Sequence, residues 1–588
     1  MNTPFRGIRI RLVVTMLGIL VLVSLLVTRL GFLQVVRGEA LKKEALEQWA
    51  EDIKIQPERG TIYDRKGKRL SISINGYKIE CIPPDIDNPV ETAKKLSELL
   101  DINEESLYNK ITSNQRYIKI MDWVEKDIGD SLEEENINGI IVVPHTKRYY
   151  PSGNLASYVL GFTDIDSRGL YGVEKSFNDY LHGVPGRLII NTDIWGRQLP
   201  YDNERLIDAK PGSSLVLTID ETIQHFAEKA ATQAMEDFDP KRTTVLIMEP
   251  STGDLLAMAS MPDYDPNQPR VPDDEATKNR WANLSQEELE KEWNTLWKPH
   301  PITDTYEPGS TFKIITAAAA LEENEVTPNT QFYSDGYFRD IPGVVLRCWR
   351  YYDPHGEETF AEAVQNSCNP VMIEVARKVG KEKMIKYIEA FGFGEKTGID
   401  FLGEAKGSYP SDPEAMRDVR LATLSYGQGI AVTPIQLITA ASAIANEGKL
   451  MKPRIVKSIL DEEENIAEEF PTEMVRKVIS KDTSDTLLGI LESVITEGTG
   501  KKAFVPGYRV GGKTGTAQKI VNGEYSDEKF VASFIGVAPV NDPKIVVLVI
   551  VDEPDKEVDI HGGQVAAPIA GKLIEETLNY LDIEPQFN

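Results

Sequence analysis

The sequence predicts an α+β protein in three parts: an N-terminal transmembrane helix, a mixed α+β domain, and a C-terminal antiparallel sheet with a helical subdomain. Three observations carry this reading. One apolar run near the N-terminus is long enough to cross a bilayer. Hairpin signals stand at both ends of a mostly helical C-terminal segment. Between the two lies a stretch of short strands and helices that ends at the turn Ala209-Lys210-Pro211-Gly212.

The chain has 588 residues, 41% hydrophobic and 27% charged. That length implies several domains, and that composition excludes wholesale disorder. Lys and Arg number 65 against 92 Asp and Glu, a net charge of −27. A chain this acidic is unsuited to nucleic acid, whose phosphates need a basic face. Acid concentrates at 133–135 and 461–464, which read as solvated surface. The three cysteines, Cys81, Cys348 and Cys368, are too few for a disulfide scaffold but leave room for a metal ligand.

Arg6, Arg9 and Arg11 precede an apolar run over 12–27, which resumes after Arg29 and continues to Val36. Residues 12–36 cross a hydrocarbon core of about 30 Å at about 1.5 Å per residue, with Arg29 free to snorkel to the interface. The basic residues place 1–11 in the cytoplasm and everything after Arg37 outside. The rival reading is a cleaved signal peptide. No A-x-A-like site follows the core, and Arg37, Lys42 and Lys43 come next, which favours an uncleaved anchor. No other run approaches this length, so the topology is single-pass.

Residues 37–210 form the mixed α+β domain, a pedestal, and 211–588 the C-terminal domain. In the first, 41–52 reads as a short helix and 57–67 as a strand with a turn at Lys66-Gly67. Segments 148–161, 169–174 and 183–187 are loop-like, rich in Gly, Pro and Tyr. In the second, 214–219 is a strand and 222–237 a helix. Residues 244–249 and 255–260 flank a turn and form a hairpin. Small-residue helices follow at 311–321 and 434–446. Residues 531–540 and 545–551 form a second apolar hairpin around Asn541-Asp542-Pro543, and a helix closes the chain at about 566–581. One antiparallel sheet is expected to collect both ends of this domain.

Within it lies Glu307-Pro308-Gly309-Ser310-Thr311-Phe312-Lys313. Pro-Gly breaks the chain before an Ala-rich helix, so Ser310 sits in the first turn with Lys313 one turn on, on the same face. A hydroxyl is a weak nucleophile, and a Lys whose pKa is lowered by burial and a cationic neighbour can serve as its base. Alone, such a pair reads far more readily as an N-cap serine and a surface lysine. Ser367-Cys368-Asn369 follows between two helical stretches, and Gly512-Lys513-Thr514-Gly515-Thr516 lies in a strand-like context. Together, in this order, they make the S-x-x-K / S-x-N / K-T-G set of the penicillin-recognising serine acyl-transferases.

On these motifs the chain resembles the class B penicillin-binding proteins, monofunctional peptidoglycan D,D-transpeptidases. Arg59-Gly60-Thr61-Ile62-Tyr63-Asp64-Arg65 resembles their membrane-proximal motif. Gly172-Val173-Glu174 and Arg148-Tyr149-Tyr150-Pro151 resemble pedestal segments, and Tyr426-Gly427-Gln428-Gly429 a transpeptidase segment. The resemblance is nearest to the sporulation and division type, with no PASTA module expected after the closing helix. It leaves no room before about residue 210 for the glycosyltransferase of class A enzymes.

The resemblance implies a mechanism. Ser310 attacks the penultimate D-Ala carbonyl of a stem peptide, and Lys313 takes its proton. Ser367 relays a proton to the leaving D-Ala, and Asn369 holds the substrate amide. Lys513 and Thr514 bind the terminal carboxylate. The backbone N–H groups of Ser310 and Thr516 form the oxyanion hole, with Gly515 between the two threonines of the same substrate-binding strand. A neighbouring stem-peptide amine resolves the acyl-enzyme, and β-lactams acylate Ser310. A SEDS-family glycan polymerase is the implied membrane partner, with the motif around Arg59 and Asp64 transmitting activation. The same motifs serve D,D-carboxypeptidases and β-lactamases, which use water as acceptor. A silent divisome scaffold or β-lactam sensor is the non-enzymatic alternative. The long pedestal and complete motif set favour the synthase.

Cys348 and His355 are separated by six residues, with Asp353 near, and are metal-ligand types in one loop. His561 stands in Asp559-Ile560-His561-Gly562-Gly563, where the family often carries Tyr-Gly-Gly. Some family members carry a zinc near the active site. Cys348, Asp353, His355 and His561 are therefore expected to form a closed structural zinc site, against the plainer reading of a small buried hydrophobe and two surface histidines. Cys368 is expected to pack rather than ligate, and Cys81 to lie in a core.

Overall fold

The computed structural model describes residues 5–39, 41, 50–115, 117–191, 205–272 and 274–587. It folds as two units. The first comprises Met1–Pro57, Asn75–Lys147 and Val184–Lys210, and the second Glu58–Ile74, Arg148–Gly183 and Pro211–Asn588. The segments at 58–74 and 148–183, which the sequence reading placed within the pedestal stretch, fold with the second unit.

In the first unit, the N-terminal helix runs over Phe5–Gly31 and continues as a wider turn through Val36. Residues Gly7–Val36 have a mean hydropathy of 2.7 and bury none of their apolar window in protein. Such a surface is at home only in lipid, where a helix satisfies its own backbone. Among the described residues it is the one helix long and apolar enough to cross a membrane.

The helix predicted over 41–52 falls mostly on residues outside the description. Its last three residues are not helical: Ala50–Ile55 is a strand that pairs with Gly186–Asn191. Strand pairing here overrides the local helical pattern. The second half of the strand Arg69–Cys81 pairs with Ile118–Glu125. Three helices, Pro89–Leu100, Glu104–Ile111 and Lys126–Glu135, accompany that pair. Ile79, Leu96, Leu107, Ile120 and Leu132 form their core, together with Cys81, whose thiol burial pushes up to about 12. Pro89 opens the first of these helices behind the Asn88 cap, and Asp101 closes it in the left-handed conformation.

In the second unit, five strands form one antiparallel sheet: β1 (Arg242–Glu249), β2 (Asp254–Met261), β3 (Gly511–Val521), β4 (Glu524–Ala538) and β5 (Ile545–Asp552). Their order is β2-β1-β5-β4-β3, so both ends of the domain meet in one sheet, as the hairpin signals imply. Alternate side chains serve opposite faces. Val245 and Ile247 of β1 and Val547 and Val549 of β5 pack with α1 (Glu221–Phe238) and the closing helix Gly562–Tyr580. Leu246, Met248, Val546 and Leu548 face the other way. There they join α2 (Lys313–Glu322), α3 (Asn369–Val379) and α4 (Pro434–Ala445), every residue of α4 being buried. Both faces are covered, which is why these strands read as continuous apolar runs rather than alternating ones. The closing helix, α5 hereafter, begins four residues earlier than its sequence pattern suggested.

The strand read over 57–67 shortens to Ile62–Tyr63, which pairs with Ser71 and Arg69 and runs parallel to Ser214–Leu217. The residues before it are committed to a buried ion pair described below. Segments 148–161 and 169–174, read as loops, carry the short helices Ser157–Leu160 and Gly172–Ser176.

Candidate active site

Gly309 holds φ +54 and donates its N–H to the Gly427 carbonyl at 3.1 Å. A Cβ at Gly309 would stand 3.0 Å from the Thr516 carbonyl of β3. The backbone beside Ser310 thus passes between β3 and the Tyr426-Gly427-Gln428-Gly429 segment, where only glycine fits a left-handed turn at such close range. Ser310 sits in a single tight turn, Gly309–Phe312, and α2 begins at Lys313 rather than at Thr311. The expected placement of Ser310 one turn before Lys313 is retained.

Lys313 is completely buried. Its Nζ donates to the Ser367 carbonyl at 2.6 Å, Ser367 Oγ at 3.1 Å and Asn369 Oδ1 at 2.7 Å. Burial lowers its pKa to about 8, with the Cys348 and Cys368 sulfurs and Glu358 pulling the other way. Lys513, equally buried on β3, donates to Ser367 Oγ at 2.9 Å and to the Thr514 carbonyl at 3.2 Å. Burial and then the charge of Lys313 push it well below the ordinary lysine range. The structure therefore brings Lys313, Ser367, Asn369 and Lys513 into one hydrogen-bonded group.

Ser367 occupies a left-handed conformation, φ +60, between the helix Phe360–Gln365 and α3. A non-glycine residue there stores about 1–3 kcal/mol of strain, which the surrounding bonds must offset. The amide of Asn369 is engaged at both ends, since Nδ2 also donates to the Arg347 carbonyl at 3.4 Å. Among the described residues β3 is an edge strand of the sheet, paired with β4. Thr514 Oγ1 meets Thr499 Oγ1 at 2.9 Å, and Thr516 Oγ1 accepts from Gly562 N–H at 3.0 Å. A Cβ at Gly515 would lie 2.4 Å from Ser533 Oγ and 2.9 Å from Thr311 Cγ2, so β3 is packed without slack against β4 and the Ser310 turn.

Glu307 was not singled out by sequence, yet it joins three segments around this turn. Its Oε1 accepts from Gly429 N–H at 2.7 Å and from the Tyr525 hydroxyl at 3.3 Å. Burial raises its pKa. No spacing rule marks such a residue, because its partners lie more than a hundred positions away.

The predicted metal ligands are divided. Cys348 is buried, and its Sγ lies 3.7 Å from His355 Nε2. The third donor in reach is Cys368, and the three ligand atoms all lie within 4.8 Å of one another. Cys368 was expected only to pack. It is a neighbour because the turn through Ser367 that builds the second motif also folds it beneath the Cys348 loop. Asp353 is instead exposed and turned to Arg350. His561 is exposed, pairing with Asp559 at 2.9 Å, although its segment does lie against β3. Neither joins the group. The Cys348 pKa is lowered, chiefly by its neighbour Cys368 and then by His355 against the opposing effect of burial, while that of Cys368 is raised by Cys348 and by burial. Glu358 is buried beside Cys368, and its carboxylate helps to raise the Cys368 pKa. This donor set suits a thiophilic divalent ion. With Zn–S about 2.3 Å and Zn–N about 2.0–2.1 Å, tetrahedral ligand atoms sit roughly 3.3–3.8 Å apart, close to the observed sulfur–nitrogen spacing.

Elsewhere in the second unit a carboxylate is clamped by two guanidiniums. Glu174 pairs with Arg59 Nε at 2.5 Å and Arg148 Nε at 2.6 Å, and all three are buried. Ser71 and Tyr150 hydroxyls approach the same Oε1 at 3.2 and 3.3 Å. Burial raises the Glu174 pKa, but Arg148 and Arg59 outweigh it and hold it below the usual range. Asp64 Oδ1 accepts from the N–H groups of Lys66 and Lys68, both at 2.8 Å, closing the turn after Tyr63.

Residues 54–217 match the family model for the penicillin-binding protein dimerisation domain, and residues 243–575 that for the penicillin-binding protein transpeptidase domain. The chain belongs to the class B penicillin-binding proteins. This penicillin-binding protein is 39% identical to stage V sporulation protein D of Bacillus subtilis over 588 residues, covering 99% of this chain and 87% of that one. It is 30% identical to the peptidoglycan D,D-transpeptidase FtsI of Escherichia coli, covering 96% and 91%. Among solved structures, a peptidoglycan synthetase from Bifidobacterium adolescentis superposes with a TM-score of 0.71 at 22% identity, covering 91% of this chain and 97% of that one. Penicillin binding protein 3 of Mycobacterium tuberculosis gives 0.68 at 24%, covering 91% and 99%. At those identities the structural likeness speaks for the fold.

Proposed function

We propose that this protein is a membrane-anchored peptidoglycan D,D-transpeptidase that cross-links stem peptides through a Ser310 acyl-enzyme and is inhibited by β-lactams. The observation that carries the reading is the pair of buried lysines joined through Ser367 beside the Ser310 turn. A lysine with a pKa of about 8 is partly neutral at physiological pH and can act as a base.

Ser310 Oγ attacks the penultimate D-Ala carbonyl while Lys313 accepts its proton. The backbone N–H groups of Ser310 and Thr516 receive the developing oxyanion. Ser367, between the two lysines, passes a proton to the departing D-Ala amine as the C–N bond breaks and is reprotonated by Lys313, which becomes neutral again. Lys513, Thr514 and the Gly515 backbone hold the substrate carboxylate, and Asn369 orders Lys313 while bordering the substrate amide. An acceptor amine then attacks the ester and loses a proton to Lys313, which returns it to Ser310 Oγ as the ester C–O bond breaks.

The anchor at 12–36 sets the N-terminus, 1–11, in the cytoplasm and the pedestal, 37–210, and transpeptidase domain, 211–588, outside. Arg6, Arg9 and Arg11 support that orientation. A SEDS-family glycan polymerase is the membrane partner, with activation passing through the segment of Arg59 and Asp64. A zinc ion held by Cys348, His355 and Cys368 is structural, cross-linking the loop after α2 to the Ser367 turn.

Fluorescent penicillin tests the nucleophile: Ser310→Ala abolishes covalent labelling with an unchanged melting curve, and persistent labelling would place the nucleophile elsewhere. Products formed from a donor peptide and a D-amino acid acceptor distinguish transfer from hydrolysis; hydrolysis alone would make the protein a carboxypeptidase. Removing 12–36 leaves penicillin binding intact and ends co-purification with the polymerase.

A further inference from the structure

Just before Ser310 the chain is fastened to the segment that leads into α4. Tyr306 N–H donates to the Val432 carbonyl and Val432 N–H to the Tyr306 carbonyl, both at 2.9 Å, and Gly309 N–H donates to the Gly427 carbonyl at 3.1 Å. Gly429 lies between these backbone contacts, and its N–H is met by the Glu307 carboxylate instead, at 2.7 Å. The fit leaves no room for other side chains. Gly427 and Gly429 hold φ +81 and +77. A Cβ would stand 2.1 Å from the Gly309 carbonyl oxygen at the first and 2.8 Å from the Arg420 guanidinium at the second. Thr433 then caps α4, every residue of which is buried, so the partner of Glu307 on this side is a fixed one.

On the other side the same oxygen, Glu307 Oε1, accepts from the Tyr525 hydroxyl at 3.3 Å. Tyr525 belongs to β4 and pairs with Ile520 near the end of β3, whereas Thr516 of β3 pairs with Ala532. The β3–β4 hairpin therefore meets the Ser310 turn at two places. One is the close approach of Gly309 to the Thr516 carbonyl, and the other is the bond from Tyr525. One contact leaves a strand free to pivot on the turn, and two set the angle between them. Glu307 Oε2 is buried and takes no hydrogen bond, so both links of this side chain depend on one atom. Burial, and then the Glu307 charge, push the Tyr525 hydroxyl up to about 12, so at neutral pH it keeps the proton it donates.

We propose that Glu307 is a positioning residue for acyl transfer: by holding Gly429 N–H and the Tyr525 hydroxyl on one oxygen, it fixes the angle between the Ser310 turn and β3, and with it the alignment of the Ser310 and Thr516 N–H groups that receive the oxyanion. The inference rests on the Ser310 acyl-enzyme reading and deepens it. In this role Glu307 acts through its two partners and touches no reacting atom. Its effect falls on acyl-enzyme formation and not on the first encounter with the ligand, because oxyanion donors act where charge develops in the transition state. The role needs a hydrogen-bond acceptor and not a negative charge, so an amide oxygen in the same place serves it.

The test uses the full chain in detergent and stopped-flow acylation by fluorescent penicillin, which separates the dissociation constant of the first complex from the rate constant of acyl-enzyme formation. Glu307→Ala is expected to lower that rate constant by about tenfold or more, toward the roughly 100-fold that losing one oxyanion donor costs, with the dissociation constant within about twofold of wild type. Glu307→Gln keeps an acceptor oxygen and is expected to hold the rate constant within about threefold of wild type. Tyr525→Phe removes one bond from a ring 43% exposed. It is expected to leave the melting temperature unchanged and still slow acylation severalfold, which a merely structural contact does not do. A wild-type rate constant in Glu307→Ala or in Tyr525→Phe, or a Glu307→Gln protein as slow as the alanine variant, would overturn the positioning role and leave the acyl-enzyme reading standing. Should Glu307→Ala fail to fold, the glutamine and phenylalanine variants decide the matter by the same criteria. Absence of acylation in the wild type would overturn the acyl-enzyme reading, and the positioning role with it.

Discussion

Lys313 and Lys513 direct their amino groups at one oxygen, Ser367 Oγ, from 3.1 and 2.9 Å. Both are buried, and two adjacent ammonium charges in that setting disfavour each other. Lys313, at about 8, must be neutral to accept the Ser310 proton. The neutral fraction grows as pH rises through that value. The rate of acylation by penicillin is therefore expected to climb between about pH 6 and pH 9 with a midpoint near 8. A stopped-flow pH–rate profile checks this, and a rate independent of pH across that window would remove Lys313 as the base.

The Glu174 carboxylate neutralises two buried guanidiniums, those of Arg59 and Arg148. Glu174→Ala leaves both charges buried without a counter-ion and is expected to destabilise the protein by about 3–5 kcal/mol, the range for a broken buried pair. Thermal unfolding of the full chain measures it. A loss below about 1 kcal/mol, the worth of a surface pair, would show that the cluster is hydrated in solution.

Four variants separate the two possible sets of zinc ligands. Cys348→Ser and Cys368→Ser are both expected to remove bound zinc from protein purified without chelator, and to lower the melting temperature. Asp353→Ala and His561→Ala are expected to keep one zinc per chain, since one carboxylate faces Arg350 and the other side chain Asp559. Elemental analysis of each decides the matter. A Cys348–Cys368 disulfide with no metal would reduce the group to a thiol pair.

Where local pattern and tertiary structure agreed, the sequence was easy to read. The turn at 250–253 and its flanking apolar runs announce β1 and β2, and Pro308-Gly309 announces the Ser310 turn. The three sequence motifs that point to the family were legible because each is contiguous and their residue types are demanding. The ligand group was not. Cys368 approaches Cys348 through the left-handed turn at Ser367, a backbone event that leaves no periodic trace. Arg59 also misled the strand reading, because a residue in an alternating segment is pulled into a buried ion pair by Glu174, 115 positions on.

Gly515 gives the sharpest test of how β3 and the nucleophile turn are matched. A methyl group there would meet Ser533 Oγ at 2.4 Å, Thr311 Cγ2 at 2.9 Å and the Pro308 carbonyl at 3.1 Å. The Ser533 hydroxyl on β4 must swing aside, and the Thr311 and Pro308 contacts press β3 away from the Ser310 turn. Gly515→Ala is expected to cost about 1–3 kcal/mol of stability, as overpacking does, which leaves the protein folded. Its effect on acylation should be larger in proportion. Oxyanion donors act over hydrogen-bond lengths, and losing the alignment of one costs on the order of 100-fold or more in rate. Ser533→Ala in the same chain removes the closest obstacle and should restore part of the acylation rate without restoring any catalytic group. The comparison needs three proteins, Gly515→Ala, Ser533→Ala and the double variant, each scored for melting temperature and penicillin acylation. If Gly515→Ala acylates at the wild-type rate, the contact between β3 and the Ser310 turn is looser than these distances require, and the oxyanion hole does not depend on it.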